Sequence, residues 1–170
     1  HALGTLDLPL LLRLHRRWSA ADIAGVRCWT AQLLAARETA ELRAEDRHLG
    51  AALARVLVEL HIEEARLWLT EDSAFATLFA LAAVRWHIGE EETLSGYLWS
   101  WTENQVLAAI KLVPLGQSAG QRLLHRLIES MPAIVARARQ LDDAAIGVGV
   151  IAPMLASALH ESQYSRLFRS

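Results

Sequence analysis

Apolar residues recur along this chain at helical rather than strand-like spacing. The stretch 6–18 is rich in leucine and has Pro9 in its first turn, where the missing backbone N–H costs little. From 23 to 60 the apolar residues again fall three, four or seven positions apart. No stretch alternates convincingly between apolar and polar positions. The pattern predicts an all-α fold, a single-domain helical bundle that spans residues 1–170.

Polar residues, Gly and Pro mark where the predicted helices begin and end. Ser19 is the predicted N-cap of the second helix, with Asp22 as an acidic residue in its first turn. The segment 61–64 is predicted to end the third helix, and the turn 70–73 to cap a helix over 74–87. The later predicted elements are a helix whose core stripe is Leu123, Leu124, Leu127 and Ile128, a helix from Pro132 to Arg139, a loop over 142–149, and a helix from Pro153 toward His160.

The longest predicted helix runs from about 92 to 113. Its apolar residues are helically spaced and it contains no Pro and, after Gly96, no Gly, which predicts a buried helix. Three glutamates at 90–92 lie at its start, where the helix dipole favours negative charge, so they do not require a metal ion. Pro114 is predicted to end the helix, and Gly116 to begin the corner that leads to the next one.

Charged residues are concentrated in the stretch 37–47. The spacing predicts the pairs Arg37 with Glu41 and Arg43 with Asp46 on a helix surface. Because such pairs normally lie in solvent, this stretch is interpreted as a solvated face.

The corner after the longest helix carries more functional groups than a turn requires. Two glutamines and two glycines lie within it, and a lysine precedes it at the end of an apolar helix. One interpretation is a partner-binding surface. In the other interpretation, the glutamine side chains form the hydrogen bonds that the loop needs, and the lysine interacts with the helix dipole. The residues assigned to the surface are Lys111, Pro114, Gly116, Gln117 and Gln121.

The carboxyl-terminal residues 161–170 are unusually apolar for a chain end. Apolar anchors at spacing i, i+3, i+4 alternate with arginines, which is typical of a binding hot spot. The stretch is predicted to be a partner-binding tail, and docking onto the domain's own core is the alternative. The residues assigned to the tail's binding surface are Tyr164, Arg166, Leu167, Phe168 and Arg169.

Composition narrows the class of protein. Hydrophobic residues make up 53% of the chain and charged residues 21%, which is apolar for a soluble monomer and predicts contact with a protein partner. The longest apolar run, 74–84, is too short to span a membrane. The net charge of −2 gives no sign of the basic surface that nucleic-acid binding requires. The single Cys28 and the lack of a signal-like start predict a cytoplasmic location.

Two short motifs suggest chemistry that the predicted fold does not support. The residues 116–120 match G-x-S-x-G, with Asp142 or Asp143 and then His160 in the order of a serine hydrolase triad using Ser118. That motif works at a strand-to-helix turn, and helices are predicted here. The match of 147–152 to G-x-G-x-x-A likewise lacks a preceding strand.

Seven histidines raise the question of a metal site. A transition-metal site needs two or more ligands that converge, for example at spacing i, i+4. His61 with Glu64, and His160 with Glu161, are the nearest candidates. Since the histidines are otherwise dispersed, the sequence predicts no tight metal site and no bound cofactor.

Several long motifs resemble one known family. WSWTENQVLAAIKLVPLGQSAGQRLL and HESQYSRLFRS resemble the corresponding segments of the urease accessory protein UreF family, and TLDLPLLLRLHRR and RETAELRAEDRHLGAALARVL do so more loosely. The resemblance covers nearly the whole chain in order. The family usually has a further amino-terminal segment rich in Pro, Gly and aromatic residues, and because His1 is not an initiator Met, the native protein is expected to be longer.

The resemblance implies a function that the residues alone do not. It implies a non-enzymatic chaperone that joins UreD, also called UreH, to the GTPase UreG and so helps to deliver nickel to the urease apoenzyme. It also implies a homodimer, a corner that binds UreG and a tail that binds UreD. Nickel would be handled by the complex, and nucleotide would be bound by UreG. A generic helical adaptor and a serine hydrolase are the alternatives.

Overall fold

The computed structural model describes residues 3–113 and 116–147. These residues form helices and connecting turns without a β-strand among them, which confirms the predicted all-α class. Pro114, the predicted helix from Pro153 and the predicted tail over 161–170 lie outside the described residues.

Seven α-helices follow one another in the described part of the chain. They are α1 (Leu8–Ser19), α2 (Ile23–Ala35), α3 (Ala40–Glu59), α4 (Phe75–Arg85), α5 (Glu90–Leu112), α6 (Gln117–Ile128) and α7 (Met131–Gln140). A π-helical turn, Leu3–Asp7, precedes α1, and 3₁₀ segments occupy Glu63–Leu69 and Asp143–Ala145.

Helix α1 is the central element of the bundle. Apolar side chains occupy most of its circumference, so it has to be covered on several sides. It packs against α2, α4, α5 and α7. At its end, the indole N–H of Trp18 donates a hydrogen bond to the backbone oxygen of Thr77 in α4, at 2.9 Å. The fully or almost fully buried leucines of α1 are Leu8, Leu10, Leu11, Leu12 and Leu14.

Some helix ends differ from the prediction. Asp22, and not Ser19, is the N-cap of α2, since its carboxylate accepts a hydrogen bond from the backbone N–H of Gly25 at 2.8 Å. Helix α3 ends at Glu59, before the predicted segment 61–64. His61 follows in the left-handed region with φ 63°, which stops the helix from continuing.

Helix α5 is buried on one side and mainly over its first half. Its first half contacts α1, α4 and α7, through the ion pairs of Glu90 with Arg16 and of Glu91 with Arg139 and through the ring of Tyr97. In its second half, Val106 and Ile110 lie against Gly120 of α6. Trp101 is 46% exposed and Val113 is 51% exposed. The prediction of a buried helix is therefore correct for one side of its first half and wrong for most of its second half, because apolar spacing does not reveal how many neighbours a helix has. Its buried residues are Thr93, Leu94, Tyr97, Leu98, Thr102 and Val106.

An ion cluster with two buried carboxylates connects segments that are distant in sequence. The guanidinium of Arg37 contacts Asp7 Oδ1 at 2.5 Å and Asp46 Oδ2 at 2.8 Å. The other carboxylate oxygen of Asp46 accepts a hydrogen bond from the backbone N–H of Phe75 at 2.8 Å. Asp46 thus binds the start of α4, where the turn 70–73 was predicted to provide the cap. The interpretation of 37–47 as a solvated face was wrong for Arg37 and Asp46.

Burial and charge pairing shift the pKa values in and around this cluster. Burial raises the pKa of the Asp7 carboxyl, although Arg37 acts in the opposite direction. Burial would lower the pKa of Arg37, but Asp7 and Asp46 outweigh it and hold that pKa above its ordinary value. Burial also raises the pKa of the Tyr97 hydroxyl. Arg37 consequently remains a cation that balances charge inside the bundle.

We predict that Arg37→Ala lowers the free energy of unfolding by about 3–5 kcal/mol, because two buried carboxylates lose their counter-ion. Urea denaturation measures this change. The matched control is Arg47→Ala: Arg47 pairs with Asp72, and the two side chains are 44% and 66% exposed. Such an exposed pair contributes about 0–1 kcal/mol. Equal and small losses in both variants would contradict the role assigned to Arg37.

Candidate functional site

The second half of α5 and all of α6 form a helical hairpin, called here the α5–α6 hairpin (residues 99–113 and 116–128). Helix α6 packs mainly on α5 and less extensively on α7. Val106 and Leu124 are buried between the helices but lie outside the main apolar cluster of the bundle. The hairpin thus has a small core of its own and leaves much of its surface uncovered by the rest of the described chain.

Gly120 allows the two helices of the hairpin to approach closely. A Cβ atom at this position would lie 2.8 Å from Ile110 Cγ1 and 3.6 Å from Val106 Cγ1. The first distance is shorter than side-chain packing normally permits, so a larger residue here would force the Ile110 side chain to shift. The second glycine of the predicted corner therefore belongs to a helix interface and not to a flexible loop.

The structure brings most of the predicted corner residues onto one exposed surface. Lys111 lies exposed in the last turn of α5, and Gly116 is the exposed N-cap of α6. Gln117 and Gln121 are exposed on the first turns of α6. Within the described residues, no hydrogen bond or ion pair engages the side chains of Lys111, Gln117 or Gln121. Their polar groups are available to a partner.

Apolar side chains surround these polar groups. Leu107, Leu112 and Val113 of α5 are 47%, 63% and 51% exposed. Leu123 and Leu127 of α6 are 36% and 38% exposed, although both were predicted to belong to the core stripe of this helix. A cluster of partly exposed leucine and valine side chains on two packed helices is typical of a protein-interaction surface.

Sequence reasoning missed Arg122 and Arg126 of this surface. Both are exposed on α6, adjacent in sequence to Leu123 and Leu127. A count of charges in a sliding window would have found them, because no Asp or Glu occurs between 104 and 128. The net charge of the whole chain, −2, does not reveal this local excess of basic residues.

Ser118 does not have the surroundings of a hydrolase nucleophile. It is exposed in the first turn of α6, at a corner between two helices. The nucleophile elbow requires a strand before the serine, and the described part of the chain contains none. Asp143 is engaged elsewhere, in an ion pair with Arg13 at 2.7 Å. The predicted third member, His160, lies outside the described residues.

Histidines and acidic residues of the described ranges do not gather into a metal centre. Nowhere in these ranges do three or more His, Cys, Asp or Glu side chains converge in a way that could hold a metal ion. His15, for example, is buried and bonded through Nε2 to the backbone oxygen of Ile88 at 2.9 Å. Among the described helices, none is both long and apolar enough to cross a bilayer.

A second surface feature is a cleft of about 580 Å³ lined by α2, α3 and the segment before α4. Arg27 and Arg47 lie on its walls, and Trp68 lines it as well. The two arginines are already paired, with Glu71 at 2.7 Å and with Asp72 at 2.9 Å. Arg43, the third arginine of the lining, donates a hydrogen bond to the backbone oxygen of Arg37. Because its arginines are engaged within the chain, this cleft is a weaker binding candidate than the α5–α6 hairpin.

Comparison with known proteins agrees with this arrangement. The UreF family model matches residues 1–128. The chain is 52% identical over 171 residues to the urease accessory protein UreF of Alkalilimnicola ehrlichii, an alignment that covers 100% of the chain and 75% of that relative. It is 52% identical over 170 residues to the UreF of Teredinibacter turnerae, covering 100% and 77%. With the UreF of Hahella chejuensis it is 46% identical over 168 residues, covering 99% and 76%. On this evidence, the chain belongs to the UreF family of urease accessory proteins.

Proposed function

We propose that this protein is a non-enzymatic chaperone that joins UreD, also called UreH, to the GTPase UreG while nickel is delivered to apo-urease. Membership of the UreF family supports the pathway. The observation that carries the adaptor role is the α5–α6 hairpin, whose apolar and polar side chains are exposed together. In this proposal nickel is cargo of the complex and nucleotide is bound by UreG, so the chain itself needs no cofactor.

The two predicted surfaces are assigned to different partners. The surface around Lys111, Gln117 and Gln121 is proposed to bind UreG, and the tail over 161–170 is proposed to bind UreD. The assembly is placed in the cytoplasm, and residues 1–170 are treated as one domain.

A homodimer is part of the proposal. The exposed apolar side chains of α3 and of the hairpin give a second copy surfaces to cover, among them Leu49, Val56 and Leu60 of the α3 region. Sedimentation equilibrium is expected to show a dimer. A monomer at every concentration would contradict this part of the proposal.

Copurification tests the proposed function directly. The tagged full chain is expected to retain UreD and UreG from a mixture of the purified urease maturation proteins. A generic helical adaptor from another pathway would retain neither. A serine hydrolase would cleave an ester substrate and lose that activity in the Ser118→Ala variant.

We predict that Lys111→Ala lowers UreG recruitment while the melting temperature stays normal. The side chain is exposed, so its removal leaves no buried cavity. If Lys111 acts only on the dipole of α5, the variant will instead lose about 0.3–1 kcal/mol of stability and bind UreG normally. Copurification and thermal melting, measured on the same samples, separate the two roles.

We predict that deletion of residues 164–170 abolishes association with UreD and leaves helicity and melting temperature nearly unchanged. The deletion removes the apolar anchors Tyr164, Leu167 and Phe168 together with Arg166 and Arg169. Circular dichroism and UreD copurification measure the two effects. A truncated protein that melts much earlier, or that binds UreD as well as the intact chain does, would show that the tail is a structural element.

A further inference from the structure

The α5–α6 hairpin differs in charge from the rest of the molecule. The hairpin contains Lys111, Arg122 and Arg126 but a single acidic residue, Glu103, and from 104 to 128 there is no Asp or Glu, whereas the whole chain has 19 acidic and 17 basic residues. Folding does not compensate for this excess. Within the described residues, no carboxylate lies in ion-pair contact with any of these three cations.

Ion pairing is common among the arginines of the bundle. Most of those in the described ranges are paired with a carboxylate, as are Arg16 with Glu90 at 2.8 Å and Arg139 with Glu91 at 2.5 Å. Arg122 and Arg126 are exposed and lack such a partner in the described structure, as do Arg55 and Arg137. What distinguishes Arg122 and Arg126 is that they lie one helical turn apart in a stretch without Asp or Glu.

Helix geometry places these arginines in a row beside an apolar row. Arg122 and Arg126 are four residues apart and so lie one above the other on α6. Leu123 and Leu127 have the same spacing and are 36% and 38% exposed. Gln121, the residue before Arg122, is also exposed and adds an amide group to the polar side of α6. A partner is thus offered a cationic edge next to an apolar strip.

We infer that this surface of α6 docks an acidic protein segment, one that places Asp or Glu carboxylates against Arg122 and Arg126 and apolar side chains against Leu123 and Leu127. Arginine suits this contact because its planar guanidinium binds carboxylates in a bidentate manner. The inference rests on the proposed function, since it states the chemistry by which a maturation partner is recognised.

Other anionic partners fit the surface less well. Helices that bind membrane surfaces typically combine many cations with Trp or Phe on the apolar side, and α6 contains no aromatic residue. Nucleic-acid affinity grows with the number of phosphates that Lys and Arg neutralise, and the three cations of this surface could neutralise only a few. Leucines and glutamine amides beside two arginines match a protein surface better.

Charge removal provides the test. The double variant Arg122→Gln and Arg126→Gln is expected to associate with purified UreG or UreD at least about tenfold more slowly at low ionic strength, because electrostatic steering is lost. The difference from the unmodified chain should shrink as ionic strength rises from about 0.01 M to about 1 M. The matched control is Arg55→Gln, which neutralises another exposed arginine without a carboxylate partner in the described structure, on α3.

The outcomes separate the two proposals. Slower association of the double variant alone, with unchanged melting, supports the inference. If the unmodified chain binds UreG or UreD and the double variant binds equally fast, the inference is wrong while the proposed function stands. If the unmodified chain binds neither protein, the proposed function fails and the inference fails with it. Loss of binding only to phosphatidylserine vesicles or to DNA would also overturn the inference.

Discussion

The arrangement of the bundle depends on one partly buried cation that pairs with two buried carboxylates. Arg37 lies in the loop before α3 and joins Asp7, at the start of α1, to Asp46 on α3. Asp46 in turn binds the backbone at the start of α4. Four segments are oriented by this one cluster. Because a buried charge is costly unless it is paired, the cluster disfavours other arrangements of these segments.

In the α5–α6 hairpin, by contrast, the charged side chains are exposed and have no ion-pair partner in the described structure. Its two helices meet at Gly120 and share a small apolar contact with Val106 and Leu124, but the charges and many leucines on its outer surface lie exposed. Exposed apolar surfaces of this kind are unfavourable in water and are typically covered by a partner protein in a complex. The contrast between a bundle in which most arginines are paired and a hairpin whose cations are not suits the adaptor role proposed for this chain.

Much of the fold was predictable from local pattern. Helical spacing of apolar residues identified the helices and the absence of strands, since the period of a helix is visible over a few turns of sequence. Helix ends were less predictable. Ser19 and Asp22 are both residue types that cap helices well. Only the structure shows that Asp22 is the N-cap of α2. The start of α4 is bound by Asp46, twenty-nine residues earlier, a partner that no local rule identifies.

The sequence by itself determined the helical class, the corner after α5 with its exposed lysine and glutamines, and, through long motifs, the family. These properties depend on residues that are near one another in the chain. Only the tertiary structure decided which charges are buried and which apolar residues are exposed. Arg37 was expected in solvent and instead lies partly buried between two buried carboxylates, whereas Leu123 and Leu127 were expected in the core and are partly exposed. The physical reason is that burial depends on how many other segments cover a residue, and those segments are brought together only by folding.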